Sequence, residues 1–365
     1  MLNSTSMDTA YGIQWKPAPV LPFIEDTNLA LLAPLIVYWV MSLLFHCIDQ
    51  TEFLAERRIH TPLEMRSRNK VTLSKVVRDV IIQQAVQTGF GLFLQRFDAE
   101  VYHDPQITLD KVTAFVPFAL SEKATRGVAF MLLPAIRFLI AILILDTWQY
   151  WWHRAMHTNK WLYRNFHSHH HRLYVPYAFG ALYNHPIEGL LLDTIGAGLG
   201  YLVTGMTTKE SIFFYAFSTA KTVDDHCGYL LPIDPLQIFF SNNARYHDIH
   251  HQSYGIKKNF SQPYFTFWDK LCGTYMDPME TPRALRLAKE ANGKAKVNVS
   301  DDGKFNDVGI NGTKGDKQGG GEKGELARRR VTIQDGDEDD GGSYNTSVFT
   351  KEEEKVIRKG GRVEM

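Results

Sequence analysis

The sequence is poor in cysteine and has no excess of charge, and both absences exclude classes of protein. Its three cysteines, Cys47, Cys227 and Cys272, form no C-x-x-C pair. A zinc site of the cysteine type and a disulfide framework are therefore not expected. Basic and acidic residues both number 40, so the formal net charge is zero, and nothing indicates a nucleic-acid partner.

Several familiar motifs are missing as well. No Gly-x-Gly-x-x-Gly follows a strand-like run, and no His-Glu-x-x-His occurs, which argues against a built-in dinucleotide site and against a membrane metalloprotease. The first 28 residues are polar, and the first apolar run is long and begins late. We therefore expect no cleavable signal peptide.

What the chain does have is a series of apolar runs. The mean hydropathy of -0.22 averages a membrane part and a polar tail. Residues 29–48 contain no acid, lysine or arginine, and such a run can cross a hydrocarbon core of about 30 Å as a helix. Residues 80–97, 128–145 and 187–220 are further candidates. We predict an all-α, multi-pass membrane helical bundle with about four membrane segments; for each segment the alternative is a buried helix of a soluble protein.

The distribution of basic residues predicts the orientation of these segments. Residues 49–79 carry seven lysines and arginines, whereas the first 28 residues carry Lys16 alone. Short loops rich in basic residues remain in the cytosol. We therefore expect 1–28 and 98–127 to be lumenal, and the return through 128–145 to deliver His153 and everything after it to the cytosolic face.

Composition also divides the chain into regions. After about residue 278 the apolar runs vanish, and glycine, lysine and acidic residues dominate, a composition that cannot bury enough surface to order itself. We expect a lumenal segment at 1–28, membrane helices and loops at 29–127, a histidine-rich domain at 128–277, and a mostly disordered cytosolic tail at 278–365.

Eight of the fourteen histidines fall in three tight clusters, which predict a metal site: His153 and His157, then His167, His170 and His171, then His247, His250 and His251. On a helix, residues spaced i, i+3 and i+4 share one face, so each cluster could aim its imidazoles at one point. Neutral imidazole binds Zn, Cu, Fe and Ni well. Because eight nitrogen ligands exceed the three or four that one metal uses, we predict a two-metal centre.

The surroundings of the clusters predict where this centre lies. The helix predicted at 128–157 is longer than the bilayer core, and an aromatic belt precedes its two histidines, so the metals should sit at headgroup level, as a cap on the cytosolic face of the bundle. Carboxylates that could orient the histidines are Asp146, Glu188, Asp224, Asp225 and Asp248. His46, His60 and His103 lie outside every motif and are expected to be ordinary residues.

The three clusters resemble the histidine boxes of the fatty acid hydroxylase and sterol desaturase superfamily of membrane di-iron oxidases. Residues 172–189, together with 146–150 and 224–229, are similar to the fungal sphinganine C4-hydroxylases within it. The similarity covers roughly residues 30–277.

This resemblance implies ligand roles for the eight clustered histidines and further ligands at His185 and His226. It leaves His169 as a spacer, although a shifted register beginning at His169 competes with that reading. It also implies two iron ions, O2 as co-substrate, and electrons from NADH through cytochrome b5 and its reductase. The expected substrate is a membrane lipid, a sphingoid base or dihydroceramide, hydroxylated at C4 in the endoplasmic reticulum membrane.

Three other readings of the sequence compete with this one. A C4-methyl sterol oxidase and a sterol C5-desaturase share the boxes, and only the stretch 174–189 argues against them. A histidine-rich membrane receptor that binds zinc is the non-enzymatic alternative, and it leaves three redundant clusters unexplained.

Overall fold

Helices make up the regular secondary structure of the described residues, which are 16–51, 53–97, 101–116, 120–278 and 281 of this computed structural model. Within these ranges no strand occurs, and the all-α prediction is confirmed. The α-helices are α1 (Asp26–Asp49), α2 (Pro62–Arg68), α3 (Leu73–Leu94), α4 (Pro105–Phe115), α5 (Glu122–Gly127), α6 (Leu133–Thr158), α7 (Lys160–Asn165), α8 (Pro186–Gly189), α9 (Gly196–Thr204), α10 (Thr208–Asp225), α11 (Pro235–Phe239), α12 (Ala244–His251) and α13 (Phe267–Cys272).

Shorter helical turns connect some of these elements. Two π-helical turns, Val128–Leu132 and Leu190–Ile195, join α5 to α6 and α8 to α9. Three 3₁₀ turns lie at Ala55–Arg57, His167–Arg172 and Ala178–Leu182. The predicted tail at 278–365 lies outside the described residues, apart from positions 278 and 281.

Within the described ranges, three helical stretches are long and apolar enough to cross a membrane: Asp26–Asp49, Glu122–Thr158 and Pro186–Thr204. Large apolar side chains on them are exposed, Val40, Leu143 and Leu202 among them, as lipid-facing residues of a membrane protein are. The fourth predicted segment, 80–97, begins within α3 and is more polar, because α3 buries Gln83 and Gln84.

Two helix pairs make the most extensive contacts among the described helices. α1 packs along α10, and α6 packs against α9. The buried residues of α6 follow helical spacing along one face and include the first box histidine: Ala141, Ile142, Leu145, Asp146, Gln149, Tyr150, His153 and Met156. α9 approaches this face closely, because an added Cβ at Gly200 would lie 3.2 Å from the carbonyl oxygen of Ala141. Apolar packing therefore points His153 inward.

The basic loop between α1 and α3 covers the histidine region. The Ile59 N–H donates to the Gly228 carbonyl at 2.9 Å, and the Lys70 N–H donates to the Arg172 carbonyl at 2.8 Å. Asn69 exchanges two hydrogen bonds with the backbone of Val175, at 2.8 and 2.9 Å. The loop 50–72 and the histidine clusters thus lie at the same end of the bundle.

Candidate metal centre

Local structure sets the direction of each histidine cluster. His153 and His157 occupy the last turns of α6, and the second cluster lies on the 3₁₀ turn His167–Arg172. The third lies on α12, which begins where the Asn243 side chain accepts a hydrogen bond from the Tyr246 N–H at 3.1 Å.

The structure brings nine histidines together in two groups, and within each group the ligand nitrogens all lie within 4.8 Å of one another. The first group, the five-histidine group, contains His153, His157, His167, His171 and His250. The second, the four-histidine group, contains His170, His226, His247 and His251.

Short distances between Nε2 atoms define both groups. In the five-histidine group, the Nε2 of His153 lies 3.0 Å from that of His167, and the Nε2 of His171 lies 3.1 Å from that of His250. In the four-histidine group, the corresponding distances are 2.9 Å between His226 and His247, 3.1 Å between His247 and His251, and 3.4 Å between His226 and His170. Each group therefore surrounds one point.

The expectation that each sequence cluster aims at one point is wrong for two of the three clusters. His170 belongs to the four-histidine group and its neighbour His171 to the other; likewise, His251 and His250 face different groups. Adjacent residues point about 100° apart on an α-helix and about 120° apart on a 3₁₀ turn, so a pair of neighbouring histidines serves two sites. The second and third sequence clusters therefore each contribute histidines to both groups.

Outward hydrogen bonds fix the tautomer of most of these imidazoles. Five Nδ1 atoms donate to backbone carbonyl oxygens: His153 to Phe260 at 2.8 Å, His170 to Tyr183 at 3.1 Å, His226 to Thr222 at 2.8 Å, His250 to Lys258 at 2.7 Å and His251 to Leu173 at 2.7 Å. His167 donates from Nδ1 to the carboxylate of Glu188. A carbonyl oxygen can only accept, so Nδ1 carries the proton and Nε2 has a free lone pair.

These tautomers mean that lone pairs, rather than donors, converge in each group. His153 and His167 cannot hydrogen-bond to each other, because both Nε2 atoms are acceptors, and the same holds for His226 and His170. Acceptors at 3.0 and 3.4 Å repel unless a cation lies between them. Imidazole nitrogens oriented by outer hydrogen bonds are the donor set of Zn, Cu, Fe or Ni, so the residues present fit two metal ions of this type.

Burial keeps the imidazoles in the form that binds metal. It lowers the pKa of His170 to about 4 and the pKa of His226 and His250 to about 3. It also holds the pKa of His247 and His251 well below the usual range. All five are therefore neutral near pH 7, and neutral imidazole binds a metal without first losing a proton.

A cavity leads from the membrane helices to this centre. About 290 Å³ in volume, it lies between α1, α3, α6, α9 and α10, and most of its surface is apolar. A smaller chamber of about 20 Å³ lies beside the histidines, with His167, His170, His226 and His247 in its wall. Gln149, Asp193, Thr222 and Pro263 line both spaces, so the cavity and the chamber adjoin.

Comparison with known proteins places this architecture. The fatty acid hydroxylase family model matches residues 138–274, which contain all three histidine clusters. The chain is 45% identical over 296 residues to the sphingolipid C4-hydroxylase sur2 of Schizosaccharomyces pombe, covering 78% of this chain and 97% of the relative. It is 46% identical over 270 residues to sphinganine C4-monooxygenase 2 of Arabidopsis thaliana, covering 74% and 93%. The chain belongs to the fatty acid hydroxylase family.

Another relative carries a different activity in its name. The very-long-chain aldehyde decarbonylase GL1-9 of Oryza sativa subsp. japonica is 43% identical over 256 residues, covering 70% of this chain and 90% of the relative. No solved structure matches the chain. The predicted family is confirmed, and the chain is an enzyme of this hydroxylase family.

Two histidines near the boxes lie outside both groups. The Nδ1 of His185 accepts a hydrogen bond from the Ile187 N–H at 3.3 Å, where it caps α8, and its ring contacts Phe166. His169 Nε2 lies 3.5 Å from Asp79 Oδ2, and its ring lies against Tyr183. Of the two registers considered for the second cluster, the one formed by His167, His170 and His171 therefore contributes to the two groups.

The five candidate carboxylates have different partners. Only Glu188 contacts a histidine of the two groups. Asp146 accepts the backbone N–H groups of Tyr264 and Phe265, at 2.9 and 2.7 Å. The remaining three bind other side chains: Asp224 accepts from Gln237, Asp225 pairs with Lys221, and Asp248 contacts His60.

Two residues near the site escaped the sequence reading. His60 lies outside both histidine groups, but its ring is largely buried and pairs with Asp248 at 2.8 Å. Asp269, which is fully buried, accepts the N–H groups of Phe260 and Ser261 and also binds the hydroxyls of Tyr246 and Thr274. Asp269 therefore holds in place the segment whose Phe260 carbonyl orients His153. His60 and Asp248 are 188 residues apart, and the Asp269 contacts follow no helical spacing, so local patterns gave no signal for either residue.

Proposed function

We propose that this enzyme hydroxylates carbon 4 of sphinganine or dihydroceramide and forms phytosphingosine-type bases, with two iron ions held by the nine histidines. The observation that carries the proposal is the pair of buried histidine groups beside an apolar cavity. Relatives named as sphingolipid and sphinganine hydroxylases support the choice of substrate.

The five-histidine group and the four-histidine group would each hold one iron ion. When bound, the iron pair supplies the oxidation chemistry: one atom of O2 enters a C–H bond, and the other leaves as water after two electrons and two protons are added. Nitrogen ligands admit zinc as well as iron, so the choice of iron rests on the family.

The residues of the chain orient the ligands and the substrate. Carbonyl groups and Glu188 hold the Nδ1 protons, so the Nε2 lone pairs stay directed at the metals. His153, His247 and His250 are at most 1% exposed, so bulk water is kept from the reacting carbon. The apolar cavity would bind the alkyl chain and bring carbons close to its polar end to the histidine chamber.

We further propose that the site faces the cytosol from the endoplasmic reticulum membrane and takes electrons from NADH through cytochrome b5 and its reductase. The orientation rests on the basic loop, which packs on the histidine end of the bundle and which the positive-inside rule assigns to the cytosol. The carrier rests on membership of the family.

Lipid analysis tests the proposed function. The protein is expressed in a yeast strain that lacks sphinganine C4-hydroxylation, with a His170→Ala variant as the matched inactive control. We expect phytosphingosine-type bases with the wild type and none with the variant. If the wild type is expressed at the level of the variant and still forms no C4-hydroxylated product, the proposal is refuted.

A second candidate function is aldehyde decarbonylation, which the similarity to the rice decarbonylase favours. The same cells, supplied with a very-long-chain aldehyde, would then form an alkane one carbon shorter. The sterol alternatives have less support, because the two sphingolipid relatives align along about three quarters of this chain. A change in methylsterols without phytosphingosine would favour them instead.

A further inference from the structure

Asp193 is a carboxylate inside a predicted membrane segment. Within the described part of the chain it pairs with neither a histidine nor a lysine or arginine. It lies in the π-helical turn Leu190–Ile195, within the apolar stretch Pro186–Thr204. Ionisable residues at such positions are costly and are usually functional. A π turn frees backbone carbonyls and is frequent at functional sites.

The π turn aims this carboxylate at α6. The carbonyl of Leu191 accepts from the Trp148 indole N–H at 2.7 Å, and Gln149 Nε2 donates to Asp193 Oδ1 at 3.1 Å. Gln87 also approaches the carboxyl group, but its amide Nε2 donates to the Gly189 carbonyl at 3.1 Å. The Oδ2 atom is buried and has no hydrogen-bond partner among the described residues. A buried carboxylate oxygen in this state needs a donor, and a cation would satisfy it best.

The position of Asp193 shows where that donor would come from. Asp193 and Gln149 line both the apolar cavity and the chamber that contains His167 and His170. A ligand in the cavity therefore meets the carboxylate where the cavity adjoins the histidines. An elongated amphiphile with its alkyl chain in the cavity would place its polar end there.

We propose that Asp193 binds the protonated amino group of a free long-chain base and so positions the carbon that is oxidised. This inference rests on the proposed function, which it deepens by naming the free amine rather than the N-acylated lipid as substrate. An ammonium group supplies both the charge and the hydrogen-bond donor that Oδ2 lacks, whereas an amide N–H supplies only a donor. The cavity, at about 290 Å³, is at the small end for ligand sites and suits one alkyl chain better than two.

The geometry also accounts for the choice of carbon. In a long-chain base the amino group is on carbon 2, so carbon 4 follows two bonds later along the chain. With the amine at Asp193, the next carbons lie beside the chamber whose wall contains His167, His170 and His226. Asp193 is a positioning residue in this account, and the histidines remain the groups at the reacting carbon.

A binding experiment tests the inference apart from catalysis. The full-length protein in detergent is titrated with hexadecylamine and with hexadecanol, which share a chain and differ in the polar group. We expect the wild type to bind the amine at least about tenfold more tightly, as a charge-assisted hydrogen bond provides. Asp193→Asn should reduce this preference to below about threefold. The matched control, Asp110→Asn, alters an exposed carboxylate on α4 that accepts a hydrogen bond from Gln106 at 2.9 Å, and it should keep the full preference.

Kinetics with two substrates give the second readout. For sphinganine, Asp193→Asn should lower kcat/KM by about tenfold to a hundredfold, mainly through KM, while the change for N-acetylsphinganine stays within about threefold. The metal content should stay that of the wild type. A purely structural role would instead lower the metal content and both activities together.

The outcomes separate the two claims. A wild type that binds amine and alcohol equally well overturns the inference even if the variant does not fold, and so does an Asp193→Asn variant that keeps the preference. An Asp193-dependent preference without any C4-hydroxylated product supports the amine site and refutes the proposed function. C4-hydroxylated product that forms independently of Asp193 supports the proposed function and refutes the amine site.

Discussion

His60 and Asp248 are 188 residues apart in sequence, yet His60 Nε2 lies 2.8 Å from Asp248 Oδ1. Asp248 stands between His247 and His250 on α12, and Glu64 Oε1 lies 3.6 Å from the other ring nitrogen of His60. Burial lowers the pKa of His60, but the hydrogen bond with Asp248 and the negative charge of Glu64 outweigh it and raise the pKa from 6.5 to about 9. A protonated histidine thus ties the basic loop to the helix that contributes to both groups.

We predict a pH-dependent loss of stability in His60→Ala. Because the folded-state pKa is raised, the stabilisation is fully present below about pH 6.5 and is lost as the pH rises through about 9. The variant should lose about 1–3 kcal/mol near pH 6.5, and its difference from wild type should shrink towards pH 10. Thermal unfolding in detergent across this range measures the effect. A difference that stays constant with pH would contradict the role of the charged histidine.

The sequence predicted the composition of the metal centre better than its geometry. Spacing alone placed eight histidines in three clusters, and the resemblance added His226, which the structure brings into the four-histidine group. Spacing could not tell that His170 and His171 face different groups, because that depends on which helices oppose the 3₁₀ turn. The contact between His60 and Asp248 depends on how a distant loop packs, which no local pattern records.

The fold shows the same division. Apolar runs predicted α1, α6 and the Pro186–Thr204 stretch well, because each is long and contains few charges. They could not reveal the cavity, whose wall combines residues from five helices. The apolar runs also could not show the π turn that directs Asp193 towards Gln149. Residues 190–195 have the pattern of an ordinary apolar α-helix.

The division into two groups predicts that a single substitution removes one metal ion selectively. His226→Ala removes a ligand of the four-histidine group only, and His157→Ala removes a ligand of the five-histidine group only. Each variant should fall from two metal ions per chain towards one and lose activity, because both ions are needed. His185→Ala and His169→Ala are the matched controls and should keep both ions. Elemental analysis of the purified variants is the measurement, and loss of both ions from each variant would contradict two separable sites.

Glu188 should act on the metal through His167. Its carboxylate accepts the Nδ1 proton of that imidazole, and losing such an outer partner lowers metal affinity by about 10- to 100-fold in known sites. We therefore expect Glu188→Gln to release metal to a chelator at a correspondingly lower chelator concentration. Glu122→Gln, at an exposed residue of α5 whose carboxylate lies 3.9 Å from Arg126, is the control. Equal metal retention in the two variants would show that Glu188 is dispensable.

The proposed orientation makes a prediction about glycosylation. If the loop 49–79 is cytosolic, the segment 98–127 is lumenal and the end of α6 returns to the cytosol. An acceptor site inserted near residue 110 should be glycosylated, and one inserted near residue 160 should not. Gel mobility before and after deglycosylation measures both insertions. The opposite pattern would place the histidines away from a cytosolic electron donor.

The central claim is that the nine histidines hold two metal ions, one in each group. Elemental analysis of purified, catalytically active protein tests this most directly, with metal expressed per chain and activity measured on the same sample. The account predicts two ions per chain, with iron required for turnover. An active preparation that contains one metal ion per chain, or none, would contradict it.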